Sequence, residues 1–325
     1  MKKDNCFNVL KVLATLLVVI AHVTVMYSSL YSAYEMPENM ILDWISVFIY
    51  SFHMPLFLFI SGSIFKICIA GGKYKSIKDF VILKFKRLMI PYLFIGISYV
   101  TPVMLLLKLT DESLLHYIIK GIGLCLDSRH LWYLYVLFIM FLITRVLKPV
   151  FERFPVIEYT VLLFAAVSAF YFYRYFPAYF GLDTFAKNYA FFLLGYSFVD
   201  KLDYFKRFPL ISVGSSFVLI NVLLFINSDK LRLFTGILGI IMSYSFAVII
   251  QAGFEKTVFY KLLLKNSMGI YLFHPMIIYV LFHFAINWSV PAILFSFLAF
   301  TVALTVSIGL TKLLRTLHLG VLIGE

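Results

Sequence analysis

Apolar runs close to 20 residues long, separated by short polar stretches, organise this chain from one end to the other. Runs of that length predict membrane-crossing helices at roughly 7–28, 44–69, 88–108, 130–148 and 156–173. Five more are predicted at roughly 185–200, 208–227, 231–252, 267–287 and 290–312, the first of them the shortest. Residues 113–126 are too short to cross and predict a helix lying at the membrane interface. No repeat, low-complexity tract or long Pro/Gly linker interrupts the pattern. The expectation is an all-α integral membrane protein, about ten transmembrane helices in a single bundle, one domain over 1–325 with no fused soluble domain.

Composition agrees with that reading and removes the soluble alternatives. The 325 residues are 62% hydrophobic and 14% charged, against about 45–50% and about 25% in soluble domains. A net charge of +12 would suggest nucleic acid in a soluble protein, but here the Lys and Arg sit in the short loops. That is the signature of membrane orientation. Twenty of the 28 fall on one side of a ten-span layout, Lys2, Lys3, Lys66, Lys73, Lys75, Lys78 and Arg145 to Arg153 among them. Seven, including Lys187, Lys230 and Arg232, fall on the other, and only Lys11 lies within a span. Both termini are therefore expected to be cytoplasmic. The first apolar run follows two lysines as a signal peptide does, but it is too long and no small-x-small cleavage site follows, so it is read as a retained helix. Cys6, Cys68 and Cys125 show no paired spacing and receive no chemical role, and no metal is expected.

Ionisable groups are costly in hydrocarbon, so the few inside the spans are the first functional candidates: Lys11, His22, His53 and His274. None of the 16 acidic residues lies well inside a span, and Glu158 comes nearest. Lys11 and His22 share one helical face and stand roughly 16 Å apart along the axis, a stripe able to line a channel. The structural alternative is a snorkelling lysine and a packing histidine. His53 precedes Pro55 in the run Phe52-His-Met-Pro-Leu-Phe-Leu-Phe-Ile-Ser-Gly62. It either binds a substrate hydroxyl near His22 or bonds a carbonyl freed by the proline. His274 precedes Pro275 in the same manner, and His130-Leu-Trp132-Tyr133 marks the outer end of another span, where Trp and Tyr also form aromatic belts. From Lys66 to Arg87 there are seven basic residues against Asp79, ending in Lys84-Phe-Lys86-Arg87. That cluster suits anionic lipid, or the phosphates of a nucleotide-bearing cofactor.

These pieces, in this order, resemble the membrane acyltransferase 3 family, integral O-acyltransferases of cell-envelope sugars, and its fucose-acetylase-like branch in particular. The pieces are Lys11 before His22, the Phe-His-Met-Pro run of the second helix, Lys84-x-x-Arg87 before Pro91-Tyr92, His130-Leu-Trp-Tyr, and Ser267-Met-Gly-Ile-Tyr-Leu-Phe-His274-Pro. Family members commonly carry arginine where this chain has Lys11, and often two arginines where it has Lys84 and Arg87. Charge is kept, while bidentate geometry is lost at the lysines.

The resemblance implies transfer of an acyl group, most often acetyl, from cytoplasmic acyl-CoA to a hydroxyl of a glycan or lipid-linked sugar. It implies His22 as general base with Lys11 beside the donor, and Lys84, Lys86 and Arg87 on the CoA phosphates. His53, His130, Trp132, Tyr133 and His274 would face the acceptor. The implied setting is multi-pass in a bacterial inner or plasma membrane, among membrane lipid, with no nucleic-acid partner. The competing expectation is an exporter or carrier of a polysaccharide or lipid-linked sugar, in which the histidines only bind the sugar; a scaffolding role would leave the buried polar residues unexplained.

Overall fold

Helix α1, Cys6–Thr24, has neither an acid nor a proline to break it, and a turn of tighter helix extends it to Tyr27. Its hydroxyls bond back to its own carbonyls, Thr15 to Lys11 at 2.9 Å and Thr24 to Ile20 at 2.9 Å. Polar side chains are thereby made tolerable in a segment buried within the bundle. The computed structural model to which α1 belongs describes residues 6–30, 34, 36–74, 76–226 and 231–325, and among them there is no strand. Lys2, Lys3, Lys75 and Lys230 of the charge count lie outside the described residues.

The second predicted span is two helices, α2 (Met40–Tyr50) and α3 (His53–Ala70). Pro55 has no N–H to give to Ser51, and the chain breaks at Ser51 and Phe52 before resuming. Asn39 caps α2 by accepting from the amides of Ile41 and Leu42. The third predicted span begins well before residue 88. Ser76 accepts from Asp79 N at 3.3 Å and starts a helix, α4, that runs over Ile77–Leu106. It widens by one residue at Phe85–Met89 and again at Gly96–Val100, ahead of Pro91 and Pro102. A missing proline donor is a regular cause of such widening. The basic triplet is therefore helical, where the loop reading had placed it between helices.

There follow α5 (Trp132–Arg153), α6 (Pro155–Val167), α7 (Leu182–Phe198), α8 (Pro209–Ile226), α9 (Arg232–Phe254), α10 (Val258–Ala285) and α11 (Ala292–Thr316). Helix α10 starts nine residues earlier than expected, because Thr257 caps it by accepting from Tyr260 N at 3.1 Å. Among the described residues nine helices are long and apolar enough to cross a membrane. The sixth predicted span, 185–200, is α7, a helix of 17 residues largely buried in the bundle. Residues 114–123 are helical as well, between α4 and α5.

Position in the bundle separates working helices from packing ones. Helix α1 packs on α2, α3, α9, α10 and α11, and α7 packs on α3 and α6. The apolar windows of the first span and of α10 are each 67% buried, that of α8 only 11%. Polar side chains on α1 and α10 thus meet protein, whereas α8 presents apolar residues such as Phe225 and Leu210 outward. At one end of the bundle Arg315 closes the structure by bonding Asn266 Oδ1 at 2.6 Å, the Lys265 carbonyl at 2.7 Å and Glu325.

Candidate active site

Four helical segments bring four histidines together. His22 Nδ1 on α1 lies 3.2 Å from His274 Nε2 on α10, with ring centroids 5.0 Å apart. His130, just before α5, has its ring 6.1 Å from that of His274. His53, at the first position of α3, meets Tyr50 edge to face with centroids 4.8 Å apart, and the Tyr50 ring is 6.2 Å from that of His22.

Backbone carbonyls fix the tautomer of each ring. A carbonyl only accepts, so the nitrogen facing it carries the proton, and in a neutral imidazole the other nitrogen is a bare acceptor. His274 Nδ1 faces Ile270 O at 2.7 Å, so its Nε2 is the acceptor toward His22. His22 Nδ1 must then donate, and it also points at Val18 O, 3.2 Å away. His22 Nε2 is left with its lone pair. His53 donates from Nδ1 to Ile49 O at 3.0 Å, and His130 from Nε2 to Leu272 O at 3.0 Å. The lone pair of His130 Nδ1 is buried without a hydrogen-bond partner. The carbonyl that His53 bonds is that of Ile49, which also accepts from Phe52 N, and not the Ser51 carbonyl left free by Pro55. Among the described residues no group of three or more His, Cys, Asp or Glu is placed to hold a metal ion.

Two cavities approach this cluster from opposite sides. The larger, about 460 Å³, is lined by His22, Tyr50, Asp127, His130, Trp132 and Tyr279, among others. The smaller, about 180 Å³, is mostly apolar and runs past Lys11, Thr15, Ser61, Leu88, Tyr133 and Tyr271. Lys11 and His22, expected to line one channel, face separate chambers. The wall between them is built from Tyr133, Tyr271 and the histidines. Tyr271 hydroxyl donates to the His130 carbonyl, and Tyr133 hydroxyl shares a hydrogen bond with Ser61 Oγ at 2.9 Å. His53 and His274 line neither chamber, and His274 is wholly buried.

The basic triplet separates into three fates. Lys84 Nζ sits 3.4 Å from the centroid of Phe141, with the rings of Tyr74, Phe80 and Phe65 within 5.8 Å, an aromatic enclosure for its charge. Lys86 is exposed. Arg87 is exposed, lies within electrostatic reach of Lys11, and directly precedes Leu88 on the wall of the smaller cavity. Of the three it is Arg87 that lies within electrostatic reach of Lys11 on that cavity's wall.

Several residues of the larger cavity escaped the sequence reading. Tyr50 and Tyr279 were indistinguishable from 20 other tyrosines, and Asp127 and Arg129 lay in a loop without a motif. Arg129 Nε approaches Asp127 Oδ1 at 3.1 Å, and Tyr117 hydroxyl donates to the Asp127 carbonyl at 2.9 Å. Cys125, Arg129 and nearby Phe180 all hold positive φ, at 58°, 49° and 58°. Such strain persists only where surrounding bonds over-determine it, here including Phe180 N to Leu124 O at 2.7 Å. Burial raises the Cys125 thiol pKa above its usual value, which keeps the thiol protonated on the cavity wall.

An all-helical, multi-pass bundle with buried imidazoles between a polar and an apolar chamber defines an integral membrane protein built around a polar site. The model of the acyltransferase domain characteristic of the acyltransferase 3 family matches residues 4–312, nearly the whole chain. The chain belongs to that family and is a membrane acyltransferase. Neither a curated protein nor a solved structure matches it.

Proposed function

We propose that the protein is an O-acyltransferase that moves an acyl group, acetyl foremost, from acyl-CoA on the cytoplasmic side to a hydroxyl of a cell-envelope glycan or lipid-linked sugar. The observation that carries this reading is the bare Nε2 of His22, held by two acceptors on its Nδ1 and facing a chamber large enough for a sugar unit. The smaller chamber suits the apolar reach of a pantetheine arm, with Lys11 on its wall and Arg87 within electrostatic reach of Lys11 to meet phosphate. In the proposed step the acceptor hydroxyl gives its proton to His22 Nε2 while its oxygen bonds to the thioester carbonyl carbon. The carbon–sulfur bond then breaks, and the thiolate takes the proton back from Nε2. Ser61 and Tyr133 supply the hydroxyls nearest the deep end of the donor chamber, where they would meet the oxygen that gains charge. In this reading the protein sits in a bacterial plasma membrane with the Lys11 end of the bundle facing the cytoplasm, which the excess of Lys and Arg on that side supports.

Purified protein in lipid nanodiscs, given radiolabelled acetyl-CoA and envelope glycan from deletion cells, should release CoA and label the glycan in a base-labile form. Unmodified glycan accumulating inside deletion cells, with acylation intact, would instead make it an exporter.

Three substitutions separate the donor chamber, the aromatic enclosure of Lys84 and the acceptor chamber. Arg87→Gln is expected to raise KM for acyl-CoA about tenfold or more, the loss of one charge-assisted phosphate contact worth about 1.5–3 kcal/mol. Lys84→Met should change that KM less and act on thermal stability instead, since a desolvated cation over aromatic rings contributes about 2 kcal/mol. Equal effects of the two on KM would return Lys84 to the phosphate site. On the other side, Asp127 is 44% exposed and steadied by Arg129. Asp127→Asn is expected to lower kcat/KM for the acceptor about tenfold with KM for acyl-CoA unchanged, as read from initial rates with each substrate varied in turn.

A further inference from the structure

The residue behind His22 is another histidine, in the position where base-dependent sites usually hold a carboxylate. We propose that His274 is a positioning residue for His22: its carbonyl-locked ring fixes the base in one tautomer and one orientation and steadies the positive charge that forms on it during transfer. This rests on the acyl-transfer reading above.

The geometry excludes direct contact with an acceptor. His274 is wholly buried and lines neither chamber, whereas His22 is partly exposed and lines the larger one. Its two nitrogens are both engaged, Nδ1 with Ile270 O at 2.7 Å and Nε2 with His22 Nδ1 at 3.2 Å. Pro275 contributes by leaving the Tyr271 carbonyl without its usual amide partner, which opens the helix where the His274 ring turns inward.

The choice of a neutral partner follows from the surroundings. Among the described residues no acid is hydrogen-bonded to His22, and a carboxylate between α1 and α10 would have to be desolvated in the bundle. An imidazole offers one lone pair in the same direction at no charge. When His22 Nε2 takes the hydroxyl proton, its Nδ1–H is already directed at that lone pair, so the new imidazolium is met by an acceptor in place. Onward transfer stops at His274. His274 Nδ1–H points at a carbonyl, which has no use for a further proton, so the path ends there. The proton stays on His22 Nε2, where the departing thiolate can collect it.

The test measures kcat and both KM values for the unaltered protein, His22→Ala, His274→Leu and His274→Gln in nanodiscs, alongside nitrogen-15 spectra of histidine-labelled protein. His274→Leu is expected to lower kcat about 10²- to 10⁴-fold with both KM values within about twofold. His274→Gln, whose amide oxygen can accept from His22 Nδ1–H, should recover at least about tenfold of that loss. In the unaltered protein an N–H···N coupling should join His22 Nδ1 to His274 Nε2, a signal that mere packing would not produce. If that coupling is missing, or if His274→Leu raises acceptor KM while sparing kcat, the proposal is wrong. Should the leucine variant not fold, the coupling and the glutamine variant still decide it. Full transfer by His22→Ala would sink the base reading itself, a result distinct from an inactive His22→Ala beside a fully active His274→Leu.

Discussion

Replacing His22 with alanine is expected to lower kcat for acyl transfer about 10²- to 10⁴-fold, the range that a positioned general base contributes. The protein should remain folded. His22 borders the larger cavity, so truncation enlarges a polar chamber that water can enter, and no apolar core is opened. The Val18 carbonyl keeps its helical bond, and only His274 Nε2 loses a partner. KM for acyl-CoA should change little, because Lys11, Arg87 and the apolar chamber lie on the other side of the Tyr133 and Tyr271 wall. The check is a single-turnover assay with labelled acetyl-CoA in nanodiscs, with size exclusion and thermal melting to confirm the fold. A kcat within about threefold of the unaltered protein would mean that the acceptor hydroxyl is activated elsewhere; His130 Nδ1, a bare nitrogen on a residue lining the same cavity, is the next candidate.

The histidines illustrate what a sequence conveys about such a site and what it withholds. That His22, His53 and His274 belong together was legible, because polar groups in long apolar runs must find partners and these three had few to choose from. Which of them faces substrate was not. His53 and His274 each precede a proline in the chain, a pattern that announced a disturbed helix but not the direction of the ring. Only the three-dimensional path of α1 and α10 shows that His274 stands behind His22. Similarly, counting charge identified Lys84, Lys86 and Arg87 as a cluster, yet the helix start at Ser76 rotates them to three different environments. Lys84 meets four rings contributed by α3, α4, α5 and the turn before α4, a coincidence of tertiary packing that no local spacing encodes.

Helix positions were the most legible feature, and their errors share a cause. Ends were misjudged where polar residues continue a helix beyond its apolar run, as at Ile77 and Val258, each preceded by a hydroxyl cap. The split between α2 and α3 was missed for the opposite reason: the run stays apolar straight through the break. Hydrophobicity reports burial in lipid, whereas caps and prolines decide where hydrogen bonding stops. The Asp127 loop shows the same limit in stronger form. Its positive-φ residues include Cys125 and Arg129, types that local propensity would not place there.

A second large effect is expected far from the chemistry, at the contact between α3 and α7. A Cβ built on Gly62 would stand 2.0 Å from the Phe192 carbonyl oxygen, and one on Gly195 would stand 2.1 Å from that of Phe59. Both obstacles are backbone, which cannot swing aside as a side chain does. Any side chain at either position must therefore push the helices apart. That movement would also break the bond from Ser63 Oγ to the Gly195 carbonyl at 3.1 Å. Close approach through small residues is the usual basis of helix association in lipid, where no hydrophobic force draws helices together. Gly62→Ala is expected to cost at least about 1–3 kcal/mol, the range for overpacking, and Gly62→Leu should yield no folded protein. Gly214 and Gly253 supply the comparison, since a Cβ at either would meet nothing within 4 Å. Gly214→Ala and Gly253→Ala should be neutral or stabilising by up to about 1 kcal/mol, through the lower conformational freedom of alanine. Thermal melting in one detergent reads all four variants side by side. If Gly62→Ala melts with the unaltered protein, α3 and α7 are not in backbone contact, and the placement of His53 and Ser61, which α3 carries, falls with that contact.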